Sequence, residues 1–241
     1  MLYSLIVSTK DRCEALKALF ESVRKYTRDF EFIVVDDDSH DGTGKWISQH
    51  FIKNIYNPKS VPVSVAWNQG AELAKGEYLI FLNDDMLVTE GWADEMRKMY
   101  ESKPLVGSLA FKVMDDQGQI QSRGHSFAGT QPYLPEENVE IVDYSDHPFV
   151  SRKVFDRVGG FDTYGHLYYE DAGFGLKLLS RGFFNYYNPK AVLIHQTIGL
   201  RVGTAEDKKR RKYNEEVVQQ ESKAEFFSIW GDYLLNRMEI I

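Results

Sequence analysis

The apolar run Tyr78-Leu79-Ile80-Phe81-Leu82 passes directly into Asn83-Asp84-Asp85. Carboxylates on adjacent residues, where a buried strand reaches the surface, repel each other unless a positive charge lies against them. Oxygen ligands of this kind suit Mg2+ or Mn2+, and such a cation could hold a diphosphate. Zinc, which favours nitrogen and sulfur, fits poorly. The competing reading is an acidic turn, because Asn and Asp are ordinary turn residues. Related acidic clusters follow Val34-Val35, as Asp36-Asp37-Asp38, and stand at Glu170-Asp171.

These clusters need elements to bring them together, and the first half of the chain alternates strand and helix patterns. Strands are expected at Tyr3 to Val7, Phe32 to Val35, Ile52 to Tyr56, Tyr78 to Leu82 and Val106 to Val113. Between them, Leu16, Leu19, Phe20 and Val23 recur at helical spacing. Further helices are expected over Thr43 to Phe51, over Val65 to Lys75 with Gly76 closing it, and from Gly91 to about Glu101. Such alternation implies a mostly parallel sheet covered on both faces, with its ligand crevice at the carboxyl ends of the strands.

The texture changes after Val113. Asp115-Asp116-Gln117-Gly118 signals a hairpin turn, and the stretch to Pro148 is rich in Gly, Pro and polar residues. Residues 115 to 150 are expected to be functional loop and short strand shaping an acceptor pocket, in which His125 and His147 lie. Gly159-Gly160-Phe161-Asp162 marks a tight loop, and Glu170-Asp171 opens a helix with Phe174, Leu178 and Leu179 inward, ended by Gly182. A short strand from Ala191 to Ile194 stops at His195. From Ala205 to Leu235 a helix is expected, its aromatics Phe226, Phe227, Trp230 and Tyr233 packing on the domain or on a partner subunit.

A chain of 241 residues with 43% hydrophobic and 27% charged residues has the make-up of an ordinary globular protein. A net charge of −7 argues against broad binding to nucleic acid. The run Lys208-Lys209-Arg210-Arg211-Lys212 is the local exception, and with the aromatics behind it could touch a membrane surface. The one cysteine, Cys13, has no internal disulfide partner and reads as a small apolar filler within a helix. No basic-then-apolar leader and no run long enough to span a bilayer is visible. A cytoplasmic protein, soluble or peripheral to the inner face of a membrane, is expected.

Taken in order, the strings Ser4 to Thr9, Val34 to Thr43, Asn68-x-Gly70 to Tyr78, and Asn83-Asp84-Asp85, followed by Val158 to Asp162 and then Tyr169-Glu170-Asp171 with Arg181-Gly182, closely resemble the family 2 glycosyltransferases over residues 3 to 196. The resemblance implies a GT-A fold: a Rossmann-like, mostly parallel α/β sheet flanked by helices, with a smaller acceptor-side β region. A domain over 1–204 would divide into a nucleotide-sugar half to about 113 and an acceptor half from about 114, with 205–241 as a helical extension on the domain or a partner. The implied chemistry is metal-dependent, inverting transfer of a sugar from a nucleotide diphosphate, with uracil as the default base and thymine or guanine open. The implied acceptor is a hydroxyl on a glycan, lipid-linked sugar, protein or modified base.

Residue by residue, the resemblance makes Asp37, with Asp36 beside it, the reader of the donor base. A carboxylate suits this because it can accept a hydrogen bond from a ring imide. Ser8, Thr9, Arg12 and Asn68 fall at donor-contacting positions, Asp84 near the ribose or sharing the ion, and Asp85 at the metal. Asp171 is the implied catalytic base with Glu170 its neighbour, although an acid opening a helix also favours the unpaired N–H groups there. Asp41 reads as a cap before Thr43. His195 stands where many such enzymes carry a metal- or diphosphate-holding histidine, and a structural role is the alternative. Arg201 or Lys208, on a segment with Gly199 and Gly203 as hinges, could close over the diphosphate.

Two positions depart from the pattern. Lys10 replaces a base-stacking aromatic, a role Arg12 could take as a planar cation, and Gly173 stands where many relatives have another Asp. A nucleotidyltransferase would need a glycine-rich loop after the first strand, which Ser8-Thr9-Lys10-Asp11-Arg12 lacks. A silent binding module on the same fold would have no need of Asp171.

Overall fold

Period-two burial fixes the centre of the molecule. In β1 (Tyr3–Thr9), Leu5 and Val7 face one apolar layer while Ile6 faces the other. In β4 (Tyr78–Asn83), Ile80 and Leu82 join the first layer and Leu79 and Phe81 the second. A strand buried on both sides must be apolar throughout, and this is why these segments read as continuous hydrophobic runs. The structure, a computed structural model, describes residues 2–165, 168–196 and 205–238, with backbone alone over 205–218 and at 238.

The remaining strands of the first half are β2 (Phe30–Asp37), β3 (Lys53–Asn57) and the short β5 (Met86–Val88). They are followed by β6 (Val106–Asp115), β7 (Ile120–Ser122), β8 (Ser126–Ala128), β9 (Gln131–Tyr133), β10 (Ile141–Val142), β11 (Phe149–Ser151) and β12 (Phe184–His195). A 10-stranded sheet runs in the order β10-β12-β6-β11-β4-β1-β2-β3, with β5 on β12 and β7 on β6. β3, β2, β1 and β4 are parallel, as are β6 and β12. β11 alone lies antiparallel between β4 and β6, so the long strands on either side of it share one direction.

Helices α1 (Cys13–Tyr26) and α4 (Trp92–Ser102) cover one face through Leu16, Leu19, Val23, Trp92 and Met96. On the other, α3 (Val63–Leu73), α5 (Arg152–Val158) and α6 (Glu170–Ser180) supply Trp67, Phe155, Phe174 and Leu178. The short α2 (Thr43–Gln49) follows β2. The last helix, α7 (Ala205–Met238), lays Phe226 and Leu234 against Tyr144, Tyr164, Ala172 and Leu176. Phe226, Phe227, Trp230 and Tyr233 therefore pack on the same chain. No helix among the described residues is long and apolar enough to cross a membrane.

The expected mostly parallel α/β sheet is present, with several differences in detail. The last strand extends back to Phe184 rather than starting at Ala191, because register shifts against β6 absorb Pro189 and Lys190, which break the apolar pattern. α3 stops at Leu73, where Ala74 turns extended. β5, β11 and α5 are too short to register as periodic segments. Cys13 is buried and opens α1.

Candidate functional site at the carboxyl ends of the central strands

β1 is flanked by β2 on one side and β4 on the other, so the chain reverses its direction of travel across the sheet at β1. Such a switch point opens a crevice beyond the carboxyl ends of the strands. Thr9 and Asp84 meet there, the Thr9 hydroxyl donating to Asp84 Oδ2 at 2.7 Å. Arg12 Nη1 bridges the pair of carboxylates, 3.1 Å from Asp84 Oδ1 and 2.5 Å from Asp85 Oδ2. Arg12 thus supplies the positive charge that adjacent carboxylates require, and its planar group is engaged there instead of lying free beside a donor base. Asp41 fixes its position: Oδ2 accepts from the Cys13 N–H at the start of α1, and Oδ1 accepts from the Thr43 N–H and hydroxyl at the start of α2. One carboxylate caps both helices, as the sequence suggests for Thr43.

Asp84 and Asp85 are both buried, yet their environments push them apart. Burial raises Asp84 to about 6 against the opposing pull of Arg12 and Thr9. Burial also works against charge on Asp85, but a hydrogen bond from His195 and the Arg12 charge outweigh it and hold Asp85 down to about 2. His195 reaches this pair because β5 pairs with β12, setting His195 opposite Met86, and the Gln196 N–H donates to the Asp85 carbonyl. Its Nε2 lies 3.4 Å from Asp85 Oδ2 and its Nδ1 lies 2.7 Å from Gln121 Oε1 on β7. If Nδ1–H donates to Gln121, the Nε2 lone pair of a neutral ring faces a carboxylate, a geometry that calls for a proton or a cation between them.

The buried Asp85 Oδ1 has no hydrogen-bond partner among the described residues, and no cluster of three or more ligating side chains gathers there among them. Mg2+ and Mn2+ commonly take one or two protein ligands and complete their shell with phosphate oxygens and water. Asp85, with His195 and Asp84 beside it, fits that pattern. A self-sufficient protein cage it is not.

Asp36 and Asp37 end β2. Asp36 Oδ1 accepts from the Ser39 N–H, while Asp37 accepts from the Ser60 hydroxyl at 2.5 Å and the Val61 N–H at 2.9 Å. Asp37 therefore anchors the loop between β3 and α3, and each oxygen keeps a further lone pair for a ligand. Lys10 lies 3.8 Å from Asp38. Ser8, one residue before the end of β1, lies in register with Asn83. The Asn68 amide exchanges both hydrogen bonds with the Phe161 backbone, which holds the Gly159–Phe161 loop. Arg201, Gly199 and Gly203 lie outside the described residues, as does the side chain of Lys208.

Glu170 and Asp171 open α6 as its first two residues, with Tyr169 as the cap position. Asp171 is therefore not the cap residue, although its Oδ1 accepts from the Ala172 N–H at 2.7 Å. Burial first, then the charges of Glu170 and Asp146, raise Asp171 well above the ordinary carboxylate range. The Asp146 carboxylate is held ionised by His125, whose Nε2 lies 2.7 Å from Asp146 Oδ1 and whose ring stacks on Tyr144 at 4.9 Å. This pair could not be read from the chain, since a β-bridge between His125 and Tyr144 creates it. Next to it, His147 is buried with neither ring nitrogen hydrogen-bonded among the described residues. Burial keeps its imidazole neutral, and it feels the charges of both Asp146 and Asp85.

Gly173 has a local cause. A Cβ there would overlap the Tyr164 ring, so Tyr164 occupies the space another acid would need. Gly173→Ala is expected to destabilise the fold by about 1–3 kcal/mol, read as a lower denaturant midpoint. An unchanged midpoint would show that Tyr164 yields freely.

Comparison with known proteins bears on the family and the fold. The family model described as Glycosyl transferase family 2 matches residues 4–159. The O-antigen biosynthesis protein RfbC of Myxococcus xanthus is 29% identical over 220 residues, 80% of this chain and 17% of RfbC. An uncharacterised protein of Sinorhizobium fredii, y4gI, is 27% identical over 90% of this chain and 27% of its own length. An uncharacterised glycosyltransferase of Haemophilus influenzae is 26% identical over 249 residues, 97% of this chain and 83% of that protein. The chain spans well under two thirds of the first two. Among solved structures, GalNAc-T7 with UDP, GalNAc and Mn2+ superposes with a TM-score of 0.69 at 15% identity, covering 81% of this chain and 44% of that one. S. aureus TarS 1-349 in complex with UDP-GlcNAc gives 0.65 at 16% identity, covering 85% and 60%. These likenesses establish the GT-A fold.

Proposed function

Because the chain belongs to glycosyl transferase family 2 and is on that ground a glycosyltransferase, we propose that it transfers a sugar from a UDP-sugar to an acceptor hydroxyl with inversion, using Mn2+ or Mg2+. The observation that carries this reading is the pairing of Asp85, whose Oδ1 has no partner among the described residues, with His195 at the switch-point crevice. Asp85, assisted by His195 and Asp84, would hold the cation. When bound, the cation supplies Lewis-acid stabilisation to the departing diphosphate. Asp37 and the Ser60–Val61 loop form the wall on which the base would rest.

In the reaction, the acceptor oxygen bonds to the anomeric carbon while the bond from that carbon to the diphosphate oxygen breaks. The diphosphate leaves with the electron pair, and the acceptor proton passes to Asp171. Its raised proton affinity suits that task. The name of RfbC points towards a surface-glycan or lipid-linked acceptor.

UDP, dTDP, GDP and ADP should be compared in a thermal-shift assay with and without Mn2+. Stabilisation by UDP that requires the metal is the expected result. A melting temperature unmoved by every nucleotide would remove the donor-site assignment. Proton NMR of a transfer product should show inverted anomeric configuration.

A further inference from the structure

We propose that α7 is a positioning clamp for the loop that presents Asp171, so that its inner face sets the rate of the chemical step without touching the donor. This rests on Asp171 being the base.

The loop needs holding. Tyr168 and Tyr169, immediately before Glu170, adopt φ of 74° and 68°. Bulky residues in the left-handed region persist only where surrounding contacts enforce them. For Tyr169 those contacts come from α7: its ring stacks on Phe226 at 4.9 Å and meets Phe227 edge-on at 6.3 Å. Phe226 is fully buried and also packs edge-on against Tyr164 at 5.6 Å. Trp230 Nε1 donates to the Tyr164 hydroxyl at 2.7 Å, and the Gly165 N–H donates to Glu225 at 2.5 Å. At Gly165 a Cβ would strike Ser222. Ser222, Glu225, Phe226 and Trp230 form one helical face, and they grip the loop at Tyr164–Gly165 and again at Tyr169.

The same face continues to the opposite wall. Arg237 pairs with the buried Asp143 at 2.8 Å, at the head of the segment that carries Asp146 and His147. Asp143 Oδ2 in turn accepts from the Phe127 N–H. Both neighbours of Asp171 that bear charge from outside α6, Asp146 and His125, therefore stand on backbone tied to α7. Within the described side chains of α7, residues 219–237, the hydrogen bonds, ion pairs and ring contacts reach Tyr164, Gly165, Tyr169, Phe127 and Asp143, and none of these is Thr9, Arg12, Asp37, Asp84 or Asp85. A displaced base costs rate while the donor site stays whole, and a misplacement of about 1 Å can cost roughly 100-fold.

The test uses the full chain and measures hydrolysis of UDP-sugars in Mn2+, together with UDP affinity by thermal shift. Phe226→Ala should lower kcat about 10- to 100-fold with donor KM and UDP affinity within about twofold, and Phe226→Leu should recover much of the loss. If Phe226→Ala does not fold, Trp230→Phe decides, since it keeps a ring and removes the hydrogen bond to Tyr164; a fall in kcat without a change in UDP affinity is expected. Wild-type kcat in either folded variant, or UDP affinity falling in step with kcat, overturns the clamp. Asp171→Asn is run alongside: full activity there overturns the base assignment itself, whereas an inactive Asp171→Asn beside fully active clamp variants overturns the clamp alone.

Discussion

Asp171→Asn is expected to cut sugar transfer and donor hydrolysis by about 10²–10⁴-fold, while the folded protein becomes no less stable at neutral pH. The amide preserves shape but cannot take a proton. The stability side follows from the sign of the shift. Burial and the nearby Glu170 and Asp146 carboxylates raise Asp171 in the folded state above its unfolded value. The folded state therefore holds that proton more tightly, and stability falls as pH rises from the unfolded value through the folded one. Asn cannot ionise and escapes that loss. His125 offsets part of the repulsion, and its pairing with Asp146 persists in the variant. Melting curves from pH 4 to 8 should show the variant gaining on the wild type as pH rises, a range set about the ordinary carboxylate value. The wild-type rate should climb with pH, its acid limb displaced above the usual carboxylate range. An active Asp171→Asn, or one that loses ground as pH rises, would contradict the assignment.

The second large effect concerns metal-dependent donor binding. With UDP at about 100 times its dissociation constant, the wild type in Mn2+ should gain about 2.7 kcal/mol, roughly 5–10 °C for a chain of this size. In Asp85→Ala that gain should shrink to what UDP produces in EDTA. Asp85 is held ionised by His195 and Arg12, so its charge contributes stability above its unfolded value, and this is lost as pH falls towards about 2. The apo variant should accordingly melt somewhat lower at neutral pH, with Arg12 still paired to Asp84. An undiminished Mn2+ effect would move the cation away from Asp85. Calorimetric titration of Mn2+ in the presence of UDP provides the independent reading.

Much of this arrangement was legible from the chain, for identifiable reasons. Long doubly buried strands such as Leu5–Val7 and Leu79–Leu82 announce themselves by continuous apolarity, and Asp84, Asp85 and Asp171 stand where strand and helix ends place them. What escaped is non-local. β5 spans Met86–Val88 and has no period to detect, yet it aligns His195 with Asp85. The His125–Asp146 pair depends on a bridge between distant segments. The double hydrogen bond of the Asn68 amide to the Phe161 backbone likewise joins segments far apart in the chain. Arg12 was legible as a nearby cation, and only the fold shows that the charge it meets is the carboxylate pair.

The antiparallel wedge β11 has a consequence for the order in which the molecule can assemble. Among the described residues, only Phe149–Ser151 join β4 to β6 in the sheet. Hydrogen bonding across the middle of the sheet must therefore wait until residue 151 has been made and delivered between strands formed much earlier. Loop closure over such a separation is slow compared with pairing β1 to β2. As the chain emerges from the ribosome, the parallel quartet β3-β2-β1-β4 can form while its β4 edge is still bare, and that edge, which the finished sheet covers, stays open to wrong partners until the wedge arrives.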